Sequence, residues 1–147
     1  MTEAEKYMQE ALLLAQEAAR NDEVPVGAVI VRDGQIIARA ANTRNANRMP
    51  TAHAEIAAIE QACALIGDWR LNGCDLYVTL EPCMMCLGAC YNARLDKVCF
   101  GAYDSHGGIT QRLEGLNTLN HNLQVEGGVL REQCAALLAD YFSAKRK

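Results

Sequence analysis

No apolar run in this 147-residue chain approaches the ~18 residues a helix needs to cross a bilayer. A basic excess is missing too. Fourteen Lys and Arg face 18 Asp and Glu, a net charge of −4, which argues against the broad nonspecific nucleic-acid binding of strongly basic domains. Residues 1–20 are acidic and helix-patterned, unlike a basic secretory signal or an Arg-rich transit peptide. The chain is therefore expected to be cytoplasmic, with no membrane segment. Repeats, low-complexity tracts and Pro/Gly/Ser-rich linkers are also absent, so residues 1–147 read as one domain with one ordinary core.

What is present fits a soluble globular protein: 50% apolar and 22% charged residues. Cysteine is plentiful, at positions 63, 74, 83, 86, 90, 99 and 134. An odd count without a secretory signal argues against a disulfide framework, and most free cysteines are small buried hydrophobes. Lys145, Arg146 and Lys147 form a basic triplet at the carboxyl end. It reads equally as a local patch for an anionic partner or as a solvated helix end whose cations suit the dipole.

Met8, Ala11, Leu12, Ala15, Ala18 and Ala19 recur at helical spacing. Two β-rich runs, 26–31 and 35–40, flank Asp33-Gly34, a strong hairpin signal. A second helix is expected from Pro50-Thr51 to about Leu65, with Thr51 as N-cap and Gly67 beyond its end. Residues 75–80 read as a buried strand, and Pro82 opens a third helix over 82–91. Another strand covers 97–102, a final one 122–126, and an amphipathic helix 129–142 carries Leu130, Cys134, Leu137, Leu138 and Tyr141 on one side. From Gly107-Gly108 onward no periodic pattern stands out. This order implies a mixed sheet with helices on both faces. In such folds ligands sit outside the carboxyl ends of strands, near helix N-termini.

Two strings carry chemistry: His53-Ala54-Glu55 and Pro82-Cys83-Met84-Met85-Cys86. Cysteines three apart on a helix present both sulfurs on one side, and a helix N-terminus favours the thiolate that binds metal. His53 supplies a third ligand from the other helix, and this soft donor set suits zinc. Three protein ligands leave a tetrahedral position open to a water, whose pKa the ion brings to roughly 7. Glu55, two residues past the histidine, faces another side of the helix and serves as the proton acceptor. Duller readings stand beside this one. A Cys-x-x-Cys pair is also found at redox sites, although the Trp and Gly-Pro context of thioredoxin-like sites is absent. Cys90 could close the set as a fourth ligand of a structural zinc site, leaving Glu55 without a task.

The combination of H-x-E with a later P-C-x-x-C is the signature of zinc-dependent nucleobase deaminases. Longer strings extend the likeness: 23–28 (EVPVGA), 50–55 (PTAHAE), 76–83 (LYVTLEPC), 100–102 (FGA), Asn120-His121, and the ending from Gly127 to Phe142. Over nearly its whole length the chain resembles the bacterial tRNA-specific adenosine deaminases of the zinc-dependent cytidine-deaminase superfamily. The resemblance implies a three-layer α/β/α cytidine-deaminase-like fold with a mixed five-stranded sheet. It implies a homodimer with one zinc per subunit, converting adenosine to inosine at the wobble position of a tRNA anticodon, in an arginine tRNA. His53, Cys83 and Cys86 match the family's zinc ligands and Glu55 its proton shuttle. Asn42, Ala54 and Asp104 match positions that hold the substrate. Without the resemblance, Asn42 would read equally as a turn residue bonded to its own backbone.

One stretch departs from the family. After Phe-Gly-Ala the usual pattern is Asp-x-Lys-x-Gly-Ala-x-Gly-Ser, whereas this chain has Asp104-Ser-His106-Gly-Gly108-Ile-Thr-Gln-Arg112 and a shorter segment over 113–119. His106 and Arg112 read equally as replacement phosphate contacts or as exposed loop residues. The departure opens a rival substrate class, a free nucleobase or nucleoside such as guanine, cytosine or cytidine. A further rival is a non-catalytic, zinc-stabilised RNA-binding subunit, which would have no need of Glu55.

Overall fold

A computed structural model describes residues 1–105, 108–112 and 122–146. The first helix, α1 (Glu3–Arg20), starts at a reciprocal cap: the Thr2 hydroxyl accepts from the Glu5 N–H while the Glu5 carboxylate accepts from the Thr2 N–H. It buries the apolar stripe Met8, Ala11, Leu12, Ala15 and Ala18. Strands β1 (Gly27–Arg32) and β2 (Gln35–Ala41) form the expected hairpin. Asp33 and Gly34 take φ of 52° and 76°, the left-handed pair that a two-residue turn of this hand requires. Gly27 lets α1 cross closely, because a β-carbon there would overlap the Ala11 carbonyl.

The chain continues through α2 (Arg44–Asn47), α3 (Ala54–Ile66), β3 (Cys74–Leu80), α4 (Met84–Asn92) and β4 (Lys97–Ala102). Last come α5 (Ile109–Arg112), β5 (Gln124–Glu126) and α6 (Arg131–Lys145). Strand order in the sheet is β2-β1-β3-β4-β5. The β1 strand runs antiparallel to β2 and β3, while β3, β4 and β5 run parallel, giving the mixed five-stranded sheet expected from the sequence. Successive side chains point to opposite faces. Ala28, Ile30, Leu76, Val78, Val98 and Phe100 pack under α3 and α4, while Val29, Val31, Tyr77 and Cys99 pack under α1 and α6. These two cores make three layers.

All seven cysteines are free, and five are buried: Cys74, Cys86, Cys90, Cys99 and Cys134. Among the described residues no helix is long and apolar enough to cross a membrane. Several boundaries differ from expectation. The second long helix starts at Ala54, with His53 as N-cap in place of Thr51, and the third starts at Met84 with Cys83 as N-cap. In both, the proline lies outside the helix and the cap residue is extended, with ψ of 152° at His53 and 176° at Cys83. The short α2 lies in the polar stretch 42–48, where no apolar period could announce it. Leu130 has φ 52° and precedes α6, so it is off that helix's stripe.

Candidate metal centre

Strands β2 and β3 both end at one edge of the sheet, because each runs antiparallel to β1 and both finish beside its first residues. Asn42 follows β2, and Glu81, Pro82 and Cys83 follow β3. The amino ends of α3 and α4 open onto this edge with His53 and Cys83 as their caps, and Cys86 lies in the first turn of α4. Neither cap uses its side chain for capping. Both are thereby left for another partner.

That partner is a common point. His53 Nδ1 lies 3.4 Å from Cys86 Sγ and 3.7 Å from Cys83 Sγ. The donor atoms of the three residues all fall within 4.8 Å of one another, the one such group able to hold a metal ion among the described residues. The Cys86 thiol donates to Cys83, which, with help from first-turn amides and the His53 ring, draws Cys83 down to about 5. Cys86, holding its proton in a buried place, is pushed well up. A divalent cation held here would take two thiolates and one imidazole. This donor set fits zinc, and it stops at three.

Cys90 does not complete it. The residue is fully buried in the core under α3 and α4, and burial pushes its thiol far above the ordinary range. Glu55 occupies the first turn of α3 beside the ligands but outside their group, at 4% exposure. Burial pushes its carboxyl up to about 7, the Cys83 charge adds to this, and hydrogen bonding with Cys86 opposes it. A group near 7 exchanges protons in both directions at neutral pH.

Of the three expected substrate contacts, Asn42 and Ala54 form one unit. The Asn42 Oδ1 accepts from the Ala54 N–H at 2.8 Å, capping α3 from across the fold. Ala54 is fully buried, and Asn42 is 7% exposed. Asp104 is exposed, beyond the end of β4. His106, the side chain of Arg112 and the segment 113–119 lie outside the described residues.

Sequence reasoning assigned no role to two buried carboxylates. Glu23, 3% exposed, accepts from the N–H groups of Asn45 (3.1 Å) and Ala46 (2.9 Å), fixing the start of α2 behind Asn42. Glu81, also 3% exposed, accepts from Asp104 and Thr110. Both sit in strings that resemble the family, but their partners are backbone amides distant in sequence, which leave no side-chain signature. A groove of about 730 Å³ runs between the sheet edge and α6, lined by Leu80, Tyr103, Asp104, Leu138, Phe142 and Arg146 among others.

Comparison with known proteins agrees with this geometry. The model of the MafB19-like deaminases matches residues 2–146. The tRNA-specific adenosine deaminase of Bacillus subtilis (strain 168) is 47% identical over 150 aligned positions, covering 100% of this chain and 93% of that protein. A structure solved in work on A-to-I editing by tRNA:A34 deaminases superposes with a TM-score of 0.86 at 43% identity, covering 90% of this chain and 99% of the other. The guanine deaminase of Nitrosomonas europaea gives a TM-score of 0.84 at 27% identity, over 95% of this chain and 84% of the other. With the family model spanning nearly its whole length, the chain belongs to the MafB19-like deaminase family.

Proposed function

We propose that this chain is a zinc-dependent hydrolytic deaminase converting adenosine to inosine at the wobble position of a tRNA anticodon. The observation that carries the chemistry is the convergence of His53, Cys83 and Cys86 with Glu55 buried next to them. When held by these three ligands, zinc supplies Lewis acidity that makes a water nucleophilic near neutral pH. Glu55 takes a proton from the attacking water as its oxygen adds to carbon 6 of adenine. The same carboxyl hands that proton to the adjacent ring nitrogen, then carries the remaining hydroxyl proton of the adduct to the amino group, which leaves as ammonia as the C6–N bond breaks and the C6 carbonyl forms. Asn42 keeps its carboxamide oxygen on α3 and offers its NH2 to the base. Asp104 lines the groove beside α6 and would meet the RNA there.

Identity to tRNA-specific adenosine deaminases along the full chain supports RNA as the substrate. The groove beside Asp104 supports it as well, since its apolar lining and Arg146 suit a neighbouring nucleotide's base and phosphate. An unpaired anticodon loop lets the target leave its stack at little cost. The enzyme would act in the cytoplasm, on an arginine tRNA, as a homodimer with one zinc per subunit. Exposure of Met84 and Met85 on α4, 67% and 37%, supports a protein contact on that surface. The likeness to a guanine deaminase and the altered stretch 104–112 favour a second reading, a free purine base as substrate. Incubation with unmodified tRNA, and separately with free bases and nucleosides, distinguishes them. Inosine in the anticodon is the expected product; xanthine from guanine with untouched tRNA would overturn the RNA reading, and no product at all would overturn deamination.

A further inference from the structure

Glu81 has no part in the proposed chemistry, yet its carboxylate is taken almost wholly out of water. Such burial is costly unless the oxygens are bonded. Glu81 lies just past β3 and two residues before Cys83, with its own N–H donating to the Ala102 carbonyl at 2.9 Å. The bonds to its carboxylate come from the chain beyond β4. The Asp104 N–H donates to Oε1 at 3.0 Å, the Thr110 N–H donates to Oε2 at 3.2 Å, and the Thr110 hydroxyl donates to the same Oε2. Gly108 covers the group closely, since a β-carbon there would overlap both carboxylate oxygens. Only a carboxylate accepts from all three donors. A carboxamide would turn an NH2 against one of the N–H groups.

We infer that Glu81 is a positioning residue for substrate, a clasp that ties Asp104 and Thr110 to the strand end bearing the thiolates and so fixes Asp104 in the wall of the groove beside α6. The inference rests on the RNA reading above. It separates two functions in space. The reacting base is held by the metal ligands, Glu55 and Asn42, whereas the bonds to the Glu81 carboxylate come from Asp104 and Thr110. Contacts made outside the base depend on where Asp104 stands. Loosening the clasp weakens capture of the RNA and leaves the chemical step in place, whereas a purely structural role at the Pro82-Cys83 corner would cost metal and turnover together.

The test uses zinc-loaded full-length Glu81→Gln, with steady-state kinetics on an anticodon stem-loop RNA, zinc analysis and amide hydrogen exchange. The expected result is full zinc occupancy, faster exchange at the Asp104 and Thr110 amides, and KM raised about tenfold with kcat within about threefold, the scale of a lost charge-assisted bond. Unchanged KM, or zinc and kcat falling together, would overturn the inference. Should that variant not fold, Thr110→Val removes one donor at nearly constant shape and is expected to raise KM severalfold, with unchanged KM counting against the clasp. Failure of the RNA reading shows separately, as an unmodified protein that leaves the RNA untouched.

Discussion

At the scale of single residues, the centre works because ordinary capping has been moved elsewhere. Helices usually start at Ser, Thr, Asp or Asn, whose side chain bonds the first free amides. Here the two caps are His53 and Cys83, and the amide of Ala54 is satisfied instead by Asn42. Both cap side chains are free for an ion at helix ends that favour negative sulfur. Glu55 is held in a different way, by burial. Its raised pKa means that the metal-free fold prefers the neutral acid. That stability is fully present below the ordinary value of 4.5 and is lost as pH rises through about 7. Glu55→Gln should therefore flatten the fall in melting temperature of the metal-free protein between pH 5 and 8. With zinc restored it should bind metal normally and lose activity by at least ~10², the usual worth of a general acid–base group. Retained turnover would assign the proton transfer to another group. These residues were legible in the sequence because H-x-E and P-C-x-x-C are local spacings. Glu23 and Glu81 were not, because a carboxylate bonded to amides 22 to 29 positions away looks like any other in the chain.

At the scale of elements, the hairpin and the order of long helices followed from pattern, since Asp33-Gly34 and the apolar stripe of α1 express their geometry locally. Helix starts did not. Thr51 and Pro82 carry strong start signals, but the backbone stays extended until His53 and Cys83, residue types that seldom cap. Both departures fall within the group able to hold a metal, where side chains directed at an ion would displace those that serve the helix. Asn42 makes this testable at the amino end of α3. Asn42→Ala strands the Ala54 amide and should cost about 1 kcal/mol in denaturant unfolding, the usual worth of a cap. Asn42→Asp keeps the acceptor and should hold that stability, while losing the NH2 proposed to meet the base and, with it, much of the activity on RNA. Equal stability losses in both variants would show that the 2.8 Å bond contributes nothing to α3.

At the scale of the whole molecule, one sheet with a core on each face brings together residues that the chain keeps 30 and more positions apart. The sequence implied a mixed sheet but did not reveal that β1 lies between β2 and β3. That placement carries Asn42 to the same edge as Cys83. The group sits at this edge, in keeping with ligand binding outside the carboxyl ends of strands in α/β proteins. The fold is shared with a guanine deaminase at 27% identity, so the fold alone does not choose the substrate.

The measurement that reaches the centre of this account is X-ray absorption at the zinc edge of the purified protein, combined with metal content. The account requires one zinc per chain, surrounded by two sulfurs, one imidazole nitrogen and one further light atom. Three or more sulfurs would mean that Cys90 or another thiol closes the site, and a protein that binds no zinc would remove the basis of the proposed chemistry.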